Sequence, residues 1–375
     1  MTKLLYSFAL KVVLVFIALF ATSNAYSKKI RVLFIGNSYT DFHNMPQIVA
    51  DMAASTGDTL EFDVSAYGGA SFFNHASVSS SSYIHTLTKL RKGGWDYVVL
   101  QEQSVNPATP PAQFNLWTVP YAKELVDTAK YYSPCCEVVF YMTWGRKNGF
   151  PDQCGNPNWP HYCTYQSMDS VIRERYIELA YTNVAAIAPV GPVWRYVRTH
   201  YPEIELYDPD ESHPSVEGSY TAACTFYAAF FRRPATGIRF DHSLETKKAA
   251  DIKEAVTRVV YDSMSYWRNG AFRTIADFDY QLNVSNYTVT FTNHSVNASL
   301  YRWTFGDGSV SLASNPVHSY SATGNFTVQL VAIGDNQCAD TSYTSIHIYS
   351  LPFSVSPNPA SNQVFVRSPL FKNDK

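Results

Sequence analysis

Apolar residues cluster in five short runs along the first two thirds of the chain: Ile30 to Ile35, Leu60 to Ala66, Tyr97 to Leu100, Glu137 to Met142 and Val184 to Ala188. Their length and β-branched character predict strands, and their continuity predicts burial on both faces. Between them lie segments with helical spacing, Gln47 to Ala54, Ser82 to Arg91, Phe114 to Tyr132 and Met168 to Tyr181. Two more, Val216 to Phe231 and Glu245 to Trp267, follow the last strand. This alternation predicts an α/β fold, a parallel sheet with helices on each side. Sheets of that kind bind ligands at the carboxyl ends of their strands.

The pattern changes after Trp267. From about Ile275 to Tyr349 the helical period vanishes and short alternating stretches take over, as in "NYTVTFTN", "LYRWTFGDG" and "NFTVQLVAI". A small β-sandwich is the natural expectation. Residues 350–375 are proline-punctuated and too short to fold alone. At the other end, Lys3 and Lys11 flank an apolar core that runs into Ser23-Asn24-Ala25, the layout of a cleaved export signal. The run from Val12 to Ala21 is shorter than the roughly 20 residues of a bilayer span, so no stable membrane span is expected. The expected organisation is a signal peptide (1–25), a catalytic-type α/β domain (26–272), a β-sandwich (275–349) and a tail (350–375). The expected location is secreted: periplasmic, cell-surface or extracellular.

A formal net charge of −2 and the absence of a long basic run argue against nucleic acid as a partner. The six cysteines of an exported chain are free to form disulfides. Cys154 and Cys163 share one loop and are placed to staple it, whereas the adjacent Cys135 and Cys136 are poor partners for each other. No Cys-x-x-Cys pair and no helical histidine pair is present, so neither a metal nor a cofactor is expected.

Chemistry enters where the predicted strands end. Ser38 follows the first strand in "RVLFIGNSYTD". Taken alone it reads as a helix N-cap more readily than as a nucleophile. "YDPDESHPSVEGS" places His213 three residues after Asp210, with Asp208 and Glu211 as alternative acids. A serine hydroxyl needs such a base, and the base an orienting acid. Gly68 and Gly69 follow the second strand, and Gln101 and Gln103 the third, where donors to an oxyanion would belong. Each has a plainer reading, as a turn or as solvated strand-end polar groups.

Together these segments resemble the SGNH (GDSL-type) hydrolases: "FIGNSYTD" their first block, "YGGAS" the second, "VVLQEQS" the third and "DESHPS" the fifth. The resemblance runs from about Ile30 to Trp267 and implies a three-layer, flavodoxin-like fold and ester hydrolysis through an acyl-serine. It implies Ser38 as nucleophile and first oxyanion donor, Gly69 and Gln103 as the second and third donors, His213 as base and Asp210 as its orienter. The chain departs from the family at Asn37, where an aspartate is usual, and at Gln103, where an asparagine is usual. Trp144, Trp159, Tyr162 and Tyr165 flank or lie in the loop after the fourth strand and are candidates for an aromatic wall against a sugar, or else for loop packing.

"YRWTFGDGSVSLASNPVHSYSATGNFTVQLVA" resembles PKD domains, with Thr304 in place of the first acid of their turn motif. That implies an Ig-like sandwich serving as a spacer or as a contact to glycan or protein, with His318 structural. The tail "FSVSPNPASNQVFV" is similar to the start of type IX secretion sorting domains but is truncated. The expected substrate is an acylated carbohydrate or a small ester. The rival expectation is a glycan-binding or adhesion protein that retains a hydrolase scaffold.

Overall fold

The computed structural model describes residues 28–150, 154, 163–350 and two short strands at 354–356 and 365–367. The expected export signal lies outside the described residues, as do Trp159 and Tyr162. Of the tail, only a small antiparallel pair, Ser354–Ser356 with Phe365–Arg367, is described.

The five predicted strands form. β1 (Lys29–Gly36) leads through α1 (Ser38–Asp41) and α2 (Met45–Ser55) to β2 (Thr59–Ala66). Then come α3 (Phe72–Ala76), α4 (Ser81–Leu90), β3 (Tyr97–Leu100), α5 (Pro111–Trp117), α6 (Val119–Tyr132) and β4 (Glu137–Tyr141). α7 (Tyr165–Thr182), β5 (Ala186–Ala188), α8 (Val190–His200), α9 (Val216–Phe231) and α10 (Thr246–Val259) complete the domain. All sheet pairings are parallel, in the order β2-β1-β3-β4-β5, the flavodoxin-like arrangement.

Alternation along β1 builds the three layers, because successive side chains leave a strand on opposite faces. Ile30, Val32 and Phe34 pack in one core with residues of α2, α8, α9 and α10. Leu33 and Ile35 pack in the other, against α3, α6 and α7. The helix α8 is absent from the sequence expectation because Pro189, Gly191 and Pro192 read as breakers. Pro192 falls in the first turn, where a helix needs no N–H. The expected helix from Phe114 to Tyr132 divides at Thr118, ahead of Pro120, and the one expected to reach Trp267 ends at Val259.

The second domain is a sandwich of two antiparallel sheets. β6 (Phe278–Asn283), β7 (Thr288–Asn293) and β10 (Val317–Ser319) face β8 (Leu300–Thr304), β9 (Val310–Ser311), β11 (Gly324–Ile333) and β12 (Ala339–Ile348). Phe278, Phe291, Trp303, Leu330 and Ile346 fill its centre. His318 stacks on Phe305 and meets Asp307 at 2.7 Å, a structural role.

The domains join at the amino edge of the parallel sheet. A Cys135–Cys338 disulfide links them, a pairing the spacing did not reveal. Asp340 meets Lys28 at 3.1 Å and accepts the Ala276 N–H at 2.9 Å. Arg273, almost fully buried, reaches Asp96 at 2.6 Å and Asp340 at 3.5 Å. Lys28, Asp96 and Cys135 all precede strands, so the sandwich is fastened at the pole opposite the strand ends that carry Ser38. The expected Cys154–Cys163 bridge is present as well.

Candidate active site

The turn after β1 is held from below. A Cβ on Gly36 would lie 2.5 Å from Thr40 Oγ1 and 2.6 Å from Gln101 Oε1, so glycine is needed for close approach. Buried Gln101, at the end of β3, accepts the Asn37 N–H and the Thr40 hydroxyl, each at 2.9 Å. Asn37 caps α1: its Oδ1 takes the Tyr39 N–H at 3.0 Å, while Nδ2 donates to the Ala70 carbonyl at 2.9 Å. An aspartate would have no proton for that second bond, so the departure from the motif this segment resembles has a local reason here. The amide ties the serine turn to the glycine turn. From below, His75 Nε2 sits 2.8 Å from the Gly36 carbonyl and its Nδ1 2.8 Å from Thr86 Oγ1. Burial pushes the pKa of His75 down to about 4, against an opposing hydrogen bond to Gly36.

Ser38 Oγ lies 2.9 Å from His213 Nε2, although 175 positions separate the two residues. His213 Nδ1 meets Asp210 Oδ2, while Asp210 Oδ1 accepts the backbone N–H groups of Ser212 (3.0 Å) and His213 (2.9 Å). A carboxylate on Nδ1 calls for the Nδ1–H tautomer, which leaves Nε2 free to accept the serine proton. Of the two alternative acids, Glu211 is drawn instead to Asn148 Nδ2 at 3.0 Å. Asp208 contributes its backbone, accepting from Glu211 and donating to the His213 carbonyl. Partial burial raises the Asp210 pKa, but the bonds from His213 and from the Ser212 and His213 N–H groups more than offset it, and the net shift is downward.

The imidazole is clamped by aromatic rings. Phe42 stacks on it at 4.4 Å and Tyr39 meets it edge-on at 5.5 Å. Tyr39 OH bonds Ser212 Oγ at 2.7 Å, and Trp144 Nε1 donates to the Ser212 carbonyl at 3.1 Å. Trp144 is fully buried, stacked between Tyr39 at 4.7 Å and Trp194 at 3.7 Å. This corrects the expectation of a sugar-facing Trp144: both faces of the ring are occupied, and it braces the histidine segment instead. Tyr165 is also buried, under Arg198 at 3.8 Å, and packs rather than forming a wall.

Two backbone donors are open. Neither the Ser38 nor the Gly69 N–H has a protein acceptor among the described residues. Gly69 adopts φ +71° with empty space where a Cβ would stand, so its requirement is conformational. Gln103 Oε1 is tied to the Val105 and Asn106 N–H groups at 2.8 and 3.3 Å, leaving Nε2 with one contact, 3.4 Å from Ser104 Oγ. The structure therefore brings Ser38, Asp210 and His213 together, with Gly69 in the turn that Asn37 ties to the serine.

Sequence reading missed Phe42, Tyr39, Ser212 and Glu102. The "YTDF" run after Ser38 carried a signal for the first two, since aromatic residues one and four positions past a strand-end serine fall beside it.

Residues 278–348 match the PKD domain model. A comparison with curated proteins finds no match. Among solved structures, the chain is similar to a protein from Slackia heliotrinireducens assigned to the SGNH hydrolases: 28% identity, 53% of this chain and 97% of that one, TM-score 0.44. It is also similar to a DUF4886 family protein from Bacteroides uniformis: 18% identity, 64% and 95% coverage, TM-score 0.52. A third is an acetylxylan esterase from Geobacillus stearothermophilus: 13% identity, 53% and 93% coverage, TM-score 0.35. The Bacteroides likeness supports the α/β architecture; the chemistry rests on the residues themselves.

Proposed function

We propose that the chain is a secreted serine ester hydrolase that removes small acyl groups, acetyl foremost, from carbohydrate. The observation that carries this reading is the Ser38–His213–Asp210 relay, with a 2.9 Å contact from Ser38 Oγ to His213 Nε2. His213 takes the Ser38 proton as Oγ attacks the ester carbonyl, and Asp210 stabilises the imidazolium without accepting the proton itself. The oxyanion draws on the Ser38 and Gly69 N–H groups, with Gln103 Nε2 as a third donor; such a donor is commonly worth ~3 to 4 kcal/mol. Collapse expels the alcohol, which leaves with the proton from His213. Water, deprotonated by the same imidazole, then releases the acid and regenerates the serine.

A sugar-borne ester is favoured by the expected export signal and by half-exposed Trp117 at the end of α5, whose ring Phe73 meets at 5.7 Å. The PKD domain, fastened at the far pole, would serve as a spacer or as a contact to glycan or protein rather than as a wall of the catalytic cleft. Ser38→Ala should abolish p-nitrophenyl acetate hydrolysis and fluorophosphonate labelling while leaving the thermal melt in place. A wild-type chain that is not labelled at Ser38 yet binds acetylated glycan would instead establish the non-catalytic reading.

A further inference from the structure

Glu102 lies between the two candidate oxyanion loops and is fully buried at the end of β3. Its Oε2 accepts the Phe72 N–H at 2.8 Å, three residues past Gly69. Its Oε1 accepts the Asn106 amide at 2.5 Å, three residues past Gln103. One carboxylate thus spans the loop after β2 and the loop after β3, the segments that hold Gly69 and Gln103. We propose that Glu102 is a positioning residue: its ionised carboxylate sets the separation of these loops, and the chain hydrolyses esters efficiently only while that charge is present. This deepens, and rests on, the esterase reading above.

No cation neutralises Glu102 among the described residues. The titratable group that meets it is Tyr176 on α7, whose hydroxyl accepts the Glu102 N–H at 3.1 Å. His75 on α3 is turned toward Gly36 and Thr86 instead. The groups facing the carboxylate are therefore donors: the Phe72 N–H, the Asn106 amide and the Gln103 N–H. Protonation would put an O–H where each neighbour offers another hydrogen, so one bridge must break. Burial pushes the Glu102 pKa up to about 7, with those hydrogen bonds pulling against it. The switch then falls within the working range of an esterase.

Glu102→Gln removes the charge at nearly unchanged volume and stands in permanently for the protonated acid. Its carboxamide oxygen can still take the Phe72 N–H, but its NH2 meets the Asn106 NH2, so the second bridge is lost. The site then stays neutral and single-bridged at every pH. The test is kcat/KM for p-nitrophenyl acetate, together with the rate of fluorophosphonate labelling at Ser38, from about pH 5 to 9.

On the acid side log kcat/KM should fall more steeply, by up to one proton, in the wild type than in Glu102→Gln. Glu102→Gln should lose about tenfold or more at the plateau, and a folded Glu102→Ala at least as much. An acid limb in Glu102→Gln as steep as that of the wild type would overturn the proposal even if Glu102→Ala fails to fold. So would a folded Glu102→Gln or Glu102→Ala with a wild-type plateau. Wild-type protein that is never labelled at Ser38 would instead remove the esterase reading, a result distinct from either of these.

Discussion

On the esterase reading, replacing Asp210 by asparagine should lower hydrolysis more than replacing it by alanine. Asp210 Oδ1 is pinned by the backbone N–H groups of Ser212 and His213, at 3.0 and 2.9 Å. An asparagine must keep its oxygen there, because its NH2 would face two donors. That choice points Nδ2–H at His213 Nδ1 and selects the tautomer whose Nε2–H faces Ser38, so the base is lost. Recovering the productive tautomer means breaking both backbone bonds and burying a donor against donors, at roughly 1 to 3 kcal/mol each. The expected loss in kcat is therefore about 10² to 10⁴-fold. Alanine removes a charge-assisted bond worth about 1.5 to 3 kcal/mol. The Asp210 side chain is 49% exposed, so water replaces part of that interaction, and the expected loss is about 5- to 30-fold. Stopped assays with p-nitrophenyl acetate at pH 8, alongside circular dichroism to verify folding, separate the two. Equal losses, or a larger loss for alanine in a folded protein, would refute the tautomer argument.

Asn37→Asp installs the residue usual in the SGNH motif that this segment resembles, but removes the Nδ2–H that binds the Ala70 carbonyl and sets two acceptors face to face. It should lower kcat by about tenfold at most and leave KM nearly unchanged, measurable on the same substrate. Cys135→Ser/Cys338→Ser opens a link across 203 positions, for which chain entropy alone gives up to about 5 kcal/mol. Melting should shift downward while hydrolysis of a small ester stays at the wild-type rate, because the link sits at the opposite pole. A drop in kcat with folded protein would refute that separation. His75 has its pKa depressed from 6.5 to about 4, so its contribution to stability is full above pH 6.5 and is lost as the pH falls toward 4. Glu102 has the opposite sign: raised from 4.5 to about 7, it costs stability as the pH rises through that range. Each amounts to about 3 kcal/mol and the two offset one another, so His75→Gln should become more stable from pH 7 to 5 by urea midpoint where the wild type changes little.

The architecture was legible along the chain because strand alternation is a local consequence of solvation. Val32 and Phe34 must leave β1 on one face and Leu33 and Ile35 on the other, whatever packs there. The order of the glycine, serine, Asp210 and His213 was legible for the same reason: each stands next to an apolar run whose end it marks. The roles of individual side chains were not. Asn37 read as a departure until Ala70 stood beside it, Trp144 read as a sugar platform until Tyr39 and Trp194 covered its faces, and Glu102, between the two glutamines, drew no reading at all. Nor did spacing single out Cys338 as the partner of Cys135. Periodicity reports which way a side chain faces, whereas a hydrogen-bond or disulfide partner depends on how distant segments cross. In this chain the deciding contacts, such as Ser38 with His213, join residues 175 positions apart that meet once the parallel sheet has brought its strand ends together.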